Sequence, residues 1–273
     1  MNKRKLINFG GLSAFYVRAS YVELYRDAPE NVNDSHVHPE CEIYVNLSGD
    51  VSFMVENRMY GIMPYDIVIT RPYEYHHCIY NSDKLHRHFW ILFSPGENKA
   101  LFPKFFNRTA GEGNLLAVTE EKREELASLC KKMSECELSK SEKYACFFRL
   151  ISLIEGASPP SRPERASRDG LSDVLNYISE NFRSDVSISD LSEKYGFSLN
   201  TLERRFRETL GMSPSEYLKK KRLAAAAEHL FHGKSVSEAC EESGFSDYSH
   251  FIAVFRKSYG MTPLQYKKSI SRK

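Results

Sequence analysis

Tyr195-Gly196-Phe197-Ser198, a helical run through Phe206, then Leu210-Gly211-Met212-Ser213-Pro214 and Tyr217: this stretch decides the reading of the chain, because it is written twice. The second copy runs Ser243-Gly244-Phe245-Ser246, a helical run through Phe255, then Tyr259-Gly260-Met261-Thr262-Pro263 and Tyr266. Gly196 maps onto Gly244 at an offset of 48, whereas Phe206, Gly211, Pro214 and Tyr217 map onto Phe255, Gly260, Pro263 and Tyr266 at 49. One residue is therefore expected to have been added inside the second helix of the second copy. Two copies of so long a period describe a duplicated helical module rather than a solenoid.

Each copy carries its own helix starts. Ser187-x-x-Asp190 and Ser235-x-x-Glu238 have the spacing of a capping box, in which a serine oxygen takes one orphan N–H of the first turn and the acid returns to the serine N–H. Ser213-Pro214-x-Glu216 and Thr262-Pro263-x-Gln265 add proline, whose missing N–H costs nothing in a first turn. The spacing predicts two helix-turn-helix units, 187–210 and 235–259, joined by a helix from about Pro214 to Leu230 with an Ala224-Ala225-Ala226-Ala227 core.

A recognition helix reads base edges from the exposed face of its first turns. In the first unit Leu202 and Phe206, four apart, face the core and leave Asn200, Thr201, Glu203, Arg204 and Arg207 for the groove. Arg204 suits guanine, Asn200 adenine, and Glu203 accepts from cytosine. In the second unit Phe251 and Phe255 are the core pair, leaving Tyr248, Ser249, His250 and Ala253. A methyl group touches thymine but forms no hydrogen bond, so Ala253 makes the second unit the weaker reader. Ser198 and Ser246 at the helix starts, with Lys219, Lys220, Arg222, Arg256 and Lys257, are candidate phosphate partners. The run Lys219-Lys220-Lys221-Arg222 reads equally well as a solvated helix face. The charge balance has the same sense: residues 162–273 hold 19 Lys/Arg against 15 Asp/Glu, and residues 1–161 hold 19 against 21.

Two such units on one long helix resemble the DNA-binding domain of AraC-type transcription regulators, over roughly residues 171–269. The most specific part is Gly244-Phe245-Ser246-Asp247 through Phe255, Gly260, Thr262-Pro263 and Tyr266. The resemblance implies base contacts at Asn200, Glu203 and Arg204 and at Tyr248, Ser249, His250 and Ala253. It also implies double-stranded DNA, a small-molecule effector such as a sugar or related metabolite, and RNA polymerase as partners.

Upstream, residues 12 to about 93 read as β-structure. Ile43–Leu47, Val51–Val55 and Asp66–Thr70 are β-rich runs separated by turn signals such as Ser48-Gly49-Asp50 and Met63-Pro64-Tyr65. Many short strands favour a sandwich or barrel. Within them lie His36-Val37-His38-Pro39-Glu40-Cys41-Glu42 and Pro72-Tyr73-Glu74-Tyr75-His76. In an extended strand His36, His38 and Glu42 share one face. These segments resemble the two motifs of the cupin fold, which implies that His36, His38, Glu42 and His76 converge as ligands of a divalent transition metal. Tyr65 and Tyr73 stand where that pattern has glycines. Equally open is a barrel whose polar interior binds a small molecule directly, or only itself. Tyr44, His88 and Trp90 are further inward candidates for ligand contact, and Arg71 and His77 are ambiguous; a single tryptophan in a β-domain is more often core.

After Pro95-Gly96 the period becomes helical. Glu120–Glu135 and Ser141–Glu155 read as an antiparallel pair, the second with Tyr144, Phe147, Phe148, Ile151 and Ile154 on one stripe. That stripe is either a homodimer surface or a cap on the barrel. Residues 156–170, with three prolines, have linker composition. The fold class expected is multidomain: an N-terminal cupin-like β-barrel sensor over residues 1–112, a helical hairpin over 113–155, a linker over 156–170, and a C-terminal all-α double helix-turn-helix domain over 171–273. The six cysteines contain no Cys-x-x-Cys pair, and no apolar run reaches spanning length. A cytoplasmic protein is expected. The leading expectation is a ligand-responsive transcription regulator. Its rivals are a cupin metalloenzyme of dioxygenase or isomerase type with an appended DNA-binding domain, and a redox sensor acting through Cys41 and Cys78.

Overall fold

Every residue of Cys41–Asn46 (β3) is buried, yet alternation sends its two faces into different cores. Cys41, Ile43 and Val45 join a core shared with helices, while Tyr44 joins a core between two sheets. Glu42 and Asn46 share the Tyr44 face by parity. The computed structural model describes residues 3–12, 15–24, 38–48, 50–56, 58–96, 98–135, 138–162 and 170–270, with backbone alone over 3–15. It divides into two units between Arg165 and Ala166.

In the first unit β3 lies inside an antiparallel six-stranded sheet. The order is β1 (Lys3–Leu12), β2 (Phe15–Leu24), β8 (His86–Ser94), β3, β6 (Asp66–Thr70) and β9 (Leu115–Ala117). A three-stranded sheet, β5 (Arg58–Ile62), β4 (Val51–Val55) and β7 (His76–Tyr80), covers one face. Val22, Tyr44, Val51, Phe53, Ile62 and Val68 fill the space between the sheets, giving the cupin-like architecture. Helices cover the other face: α1 (Pro103–Phe106), α2 (Glu120–Ser134) and α3 (Lys140–Glu155) bring Phe105, Leu126, Met133, Phe147 and Ile151 onto Ile43, Ile69 and Phe93.

Two short or early elements differ from the sequence expectation. β1 begins at Lys3, ahead of the β-structure expected from residue 12, and β9 belongs to the sheet although the hairpin was expected from residue 113. A strap follows α3. Ser158 and Ala117 exchange backbone hydrogen bonds of 2.8 and 3.3 Å, Lys104 Nζ donates to the Ala157 carbonyl at 2.9 Å, and Arg162 pairs with the buried Asp66 while donating to the Gly61 carbonyl at 3.1 Å. Residues 156–162, read as linker, are thus part of the first unit; residues 163–169 lie outside the described residues.

The second unit contains α4 (Leu171–Asn181), α5 (Ile188–Lys194), α6 (Leu199–Leu210), α7 (Pro214–Phe231), α8 (Val236–Glu242), α9 (Tyr248–Tyr259) and α10 (Pro263–Ile270). Both Ser213–Glu216 and Ser235–Glu238 form reciprocal capping boxes, and Ser187 and Ser198 cap α5 and α6 through their hydroxyls. Leu202, Phe206, Tyr217, Ala226, Ala227, Phe251 and Phe255 are fully buried. The extra residue of the second copy is not inside its helix, because α6 and α9 both have 12 residues. It lies in the turn, where one residue separates Gly196 from the cap Ser198 and two separate Gly244 from the cap Asp247.

Candidate nucleic-acid interface and barrel interior

Matching α6 to α9 cap on cap pairs Leu199 with Tyr248, Asn200 with Ser249, Thr201 with His250, Glu203 with Ile252, Arg204 with Ala253 and Arg207 with Arg256. Asn200, Arg204, Arg207, Tyr248, Ser249, His250, Ala253, Arg256 and Lys257 are exposed, and Thr201 and Glu203 are half-buried at the rim. The core pairs Leu202–Phe206 and Phe251–Phe255 fix this orientation, since side chains three and four apart share one helix face. On α6 the arginines are held by acids one turn away: Arg204 forks onto both Glu208 oxygens at 2.8 and 2.9 Å, and Arg207 lies 3.5 Å from Glu203. Leu199, outside the expected set, is 44% exposed at the position equivalent to Tyr248, which is 50% exposed. A large apolar side chain left in water at the first position of both helices was the available signal.

One expected phosphate partner and one expected helix start are corrected. Arg222 donates from Nε to the Phe182 carbonyl at 2.7 Å and from a terminal nitrogen to the Ser184 carbonyl at 2.8 Å, so it caps the open end of α4, where carbonyls lack helical partners. Lys221 is buried, which breaks the basic run; Lys219 is exposed and Lys220 half-buried. Ser246 is exposed but precedes the cap: Asp247 accepts from the His250 N–H at 2.9 Å and puts a negative charge at the start of α9.

The strand registers lay out the barrel interior in rows. Glu42 stands opposite Thr70 and Leu92, Tyr44 opposite Val68 and Trp90, and Asn46 opposite His88, while Ser20 stands opposite Trp90 from β2. Tyr44 and His88 stack with ring centroids 4.6 Å apart, and Trp90 is half-buried. Ser20, Asn46 and Thr70 are all buried, and their side-chain polar atoms have no hydrogen-bond partner. Buried polar groups in native folds are nearly always satisfied, by protein, ordered water or ligand, so these three are the interior's candidate polar contacts.

Next to Thr70 lies the cluster around Glu42. His38 Nε2 is 3.0 Å and His76 Nε2 3.2 Å from the same oxygen, Glu42 Oε2. His76 Nδ1 donates to the Glu74 carbonyl at 2.8 Å, which leaves Nε2 aimed at Glu42. Behind His38, Glu40 lies 3.5 Å from Nδ1 and accepts from Tyr16 at 2.5 Å and Arg18 at 2.6 Å. Burial on its own would raise Glu42, but the His76 and His38 imidazoles hold its carboxyl well below the usual range. Burial would lower His76, and the Glu42 carboxylate reverses this to a net rise. The ligand atoms of His38, Glu42 and His76 all lie within 4.8 Å of one another. Metal bonds of about 2.1 Å place neighbouring ligand atoms about 3.0–3.4 Å apart; the two separations on Glu42 fall in that range and are equally those of two hydrogen bonds. His36 lies outside the described residues.

Glu74 is a separate clasp. Arg108 forks onto it at 2.8 and 2.6 Å, and Gly111, Asn114 and Arg71 add backbone and amide donors. Arg71 also donates to the Arg108 carbonyl at 3.1 Å, and His77 is buried. Cys41 faces the helices, and burial pushes its thiol up; burial also pushes Cys78 up to about 12. Both shifts disfavour the thiolate that the redox alternative requires. On α3 most of the apolar stripe covers the sheet: Phe147, Ile151 and Ile154 are buried and Tyr144 packs on the same core, leaving Phe148 42% exposed. No helix among the described residues is long and apolar enough to cross a membrane.

Two family models match: an AraC-like ligand binding domain over residues 21–168 and a helix-turn-helix domain over residues 191–269. The HTH-type transcriptional activator RhaS of Escherichia coli strain SE11 is 29% identical over 150 residues, 54% of this chain and 53% of that protein. The chain thus spans about half the length of the curated relatives it matches. Among solved structures, ToxT from Vibrio cholerae O395 is 14% identical over 98% of each chain at a TM-score of 0.37. The DNA-binding domain of AdpA, solved with a target DNA, is 26% identical over 37% of this chain and 92% of its own at a TM-score of 0.36.

Proposed function

Since the chain belongs to the AraC-type transcription regulators, as the ligand-binding-domain match over residues 21–168 shows, we propose that it binds duplex DNA sequence-specifically through α6 and α9. A small molecule held inside the barrel controls that binding. The observation that carries this reading is the duplicated, separately capped helix pair, in which Asn200 and Arg204 on α6 and Ser249 and His250 on α9 are exposed. α7 has 18 residues, about 27 Å at 1.5 Å per residue. That suits successive major grooves, about 34 Å apart. Arg204 and Asn200 choose bases in one groove, and Arg207, Arg256 and Lys257 hold phosphate.

In the barrel, His38, Glu42 and His76 hold a divalent transition metal, and Ser20, Tyr44, Asn46, His88 and Trp90 are the side chains offered to the effector. A bound ion supplies a fixed positive charge and sites for oxygen ligands. The RhaS relatives are named as transcriptional activators; activation through RNA polymerase and a homodimer are carried here as parts of the same proposal. Selection of random duplexes by the full-length protein tests it. The expected result is two short motifs spaced by about one helical turn, the one assigned to α6 being the sharper. Binding with no sequence preference refutes it.

A further inference from the structure

We infer that each recognition helix selects thymine through its first side chain, Leu199 on α6 and Tyr248 on α9, packed against a thymine C5-methyl group in the major groove. The inference rests on the DNA-reading proposal above and adds Leu199 to the residues that choose the sequence.

Three observations carry it. A single exposed apolar residue means nothing by itself, but this one recurs. Among the described residues seven large apolar side chains stand in water; Leu199 and Tyr248 are two of them, each directly after its helix cap. Leu264, exposed and also within the repeat, is matched at the offset of 49 by Ser215, so repetition of the fold alone does not keep an apolar residue in water.

Placement is the second. Residues four apart share a helix face, so Leu199 heads a row through Glu203 to Arg207, and Tyr248 heads the equivalent row through Ile252 to Arg256. Both rows end in an exposed arginine two turns on. Helical side chains lean toward the N-terminus, so a first-position side chain projects past the helix start, the part of a recognition helix that meets base edges. On α9 the Tyr248 ring is braced, with its centroid 6.4 Å from that of the buried Phe251.

The third is chemical. The hydrogen-bonding edges of guanine, adenine and cytosine offer donors and acceptors to the major groove, and thymine adds a methyl group. Leucine forms no hydrogen bond, so laid on a polar edge it removes water and returns nothing. Laid on a methyl group it buries apolar surface on both sides.

The probe is the duplex recovered by selection with the full-length protein. Each thymine of its motifs is replaced singly by deoxyuridine, which deletes the methyl group and keeps the hydrogen-bonding edge. Burying one methyl group corresponds to about a fourfold change in affinity. One uracil in each motif is therefore expected to weaken wild-type binding about fourfold. Leu199→Ala abolishes the response at one of these thymines and keeps it at the other, and Tyr248→Ala does the reverse. A misfolded variant could not give that reciprocal pattern, and Leu199→Met, which restores an apolar side chain, should regain the response. A motif without a methyl-sensitive thymine overturns the inference, as does either alanine variant keeping the wild-type response at every thymine; sequence selection itself would then still stand. A selection that yields no motif at all overturns the DNA-reading proposal and this inference with it.

Discussion

Gly196 and Gly244 occupy the same position in the two copies, and replacing each by alanine separates two physical effects. Both have left-handed backbone, with φ of 73° and 80°, so both substitutions carry the same conformational penalty of about 1 kcal/mol. Their surroundings differ. A Cβ on Gly196 meets nothing within 4 Å, whereas one on Gly244 falls 2.7 Å from both Cα and O of Arg183. Ordinary contact begins near 3.4 Å, so the backbone at Arg183 must retreat by roughly 0.7 Å. Overpacking against a backbone that cannot rotate away adds about 1–3 kcal/mol. Gly244→Ala should therefore melt at least about 4 °C below Gly196→Ala. Far-UV circular dichroism of the full-length protein follows the helices. The single tryptophan, Trp90, lies in the first unit, so its fluorescence transition should not move with either variant. Equal destabilisation by the two alanines would refute the claim that the second turn is pinned by Arg183.

Arg204→Ala is expected to weaken binding by about 1–3 kcal/mol and to relax preference at one or two base pairs, read by repeating the duplex selection; uniform loss on every sequence would make it a phosphate contact. Arg222→Ala should lower thermal stability by about 1–2 kcal/mol through its two lost hydrogen bonds and leave the salt slope of DNA binding unchanged; a slope reduced by one returns it to the phosphate set. Burial alone would raise Glu74, but the Arg108 guanidinium and the surrounding N–H donors hold its folded pKa below the usual value. A depressed folded pKa means that its stabilisation is complete above about pH 4.3 and drains away as pH falls through the folded value. Trp90 fluorescence should record that acid loss, and Glu74→Gln, which strands Arg108 in the interior, should cost about 3–5 kcal/mol at neutral pH.

The helical half was legible because its signals are local. Ser213 with Glu216 and Ser235 with Glu238 are three residues apart, so their capping geometry follows from spacing alone. The extra residue was misplaced for an equally local reason: offsets between Gly196/Gly244 and Phe206/Phe255 bracket the insertion but do not say on which side of the cap it falls. Arg222 was misread because its partners, Phe182 and Ser184, lie about one helix–turn–helix earlier and meet it only in the folded unit. The barrel was legible as alternation, and His38, Glu42 and His76 as a pattern. Thr70 was not, since a threonine in Asp66–Thr70 looks like any β-branched strand residue until the register places it across from Glu42. Glu40 lay inside the quoted motif, yet its role depends on Tyr16 and Arg18 from another strand.

The bridge between Ser158 and Ala117 bears on how the sensor behaves when separated from its partner domain. β9 is the last strand of its sheet, and a bare strand margin offers unpaired N–H and C=O groups to any neighbouring chain. Ser158 occupies part of that margin and Arg162 ties down the chain beyond it. A sensor fragment ending at Glu155 would leave the margin open and should self-associate through strand addition, whereas one ending at Arg162 keeps its own cover and should stay dispersed.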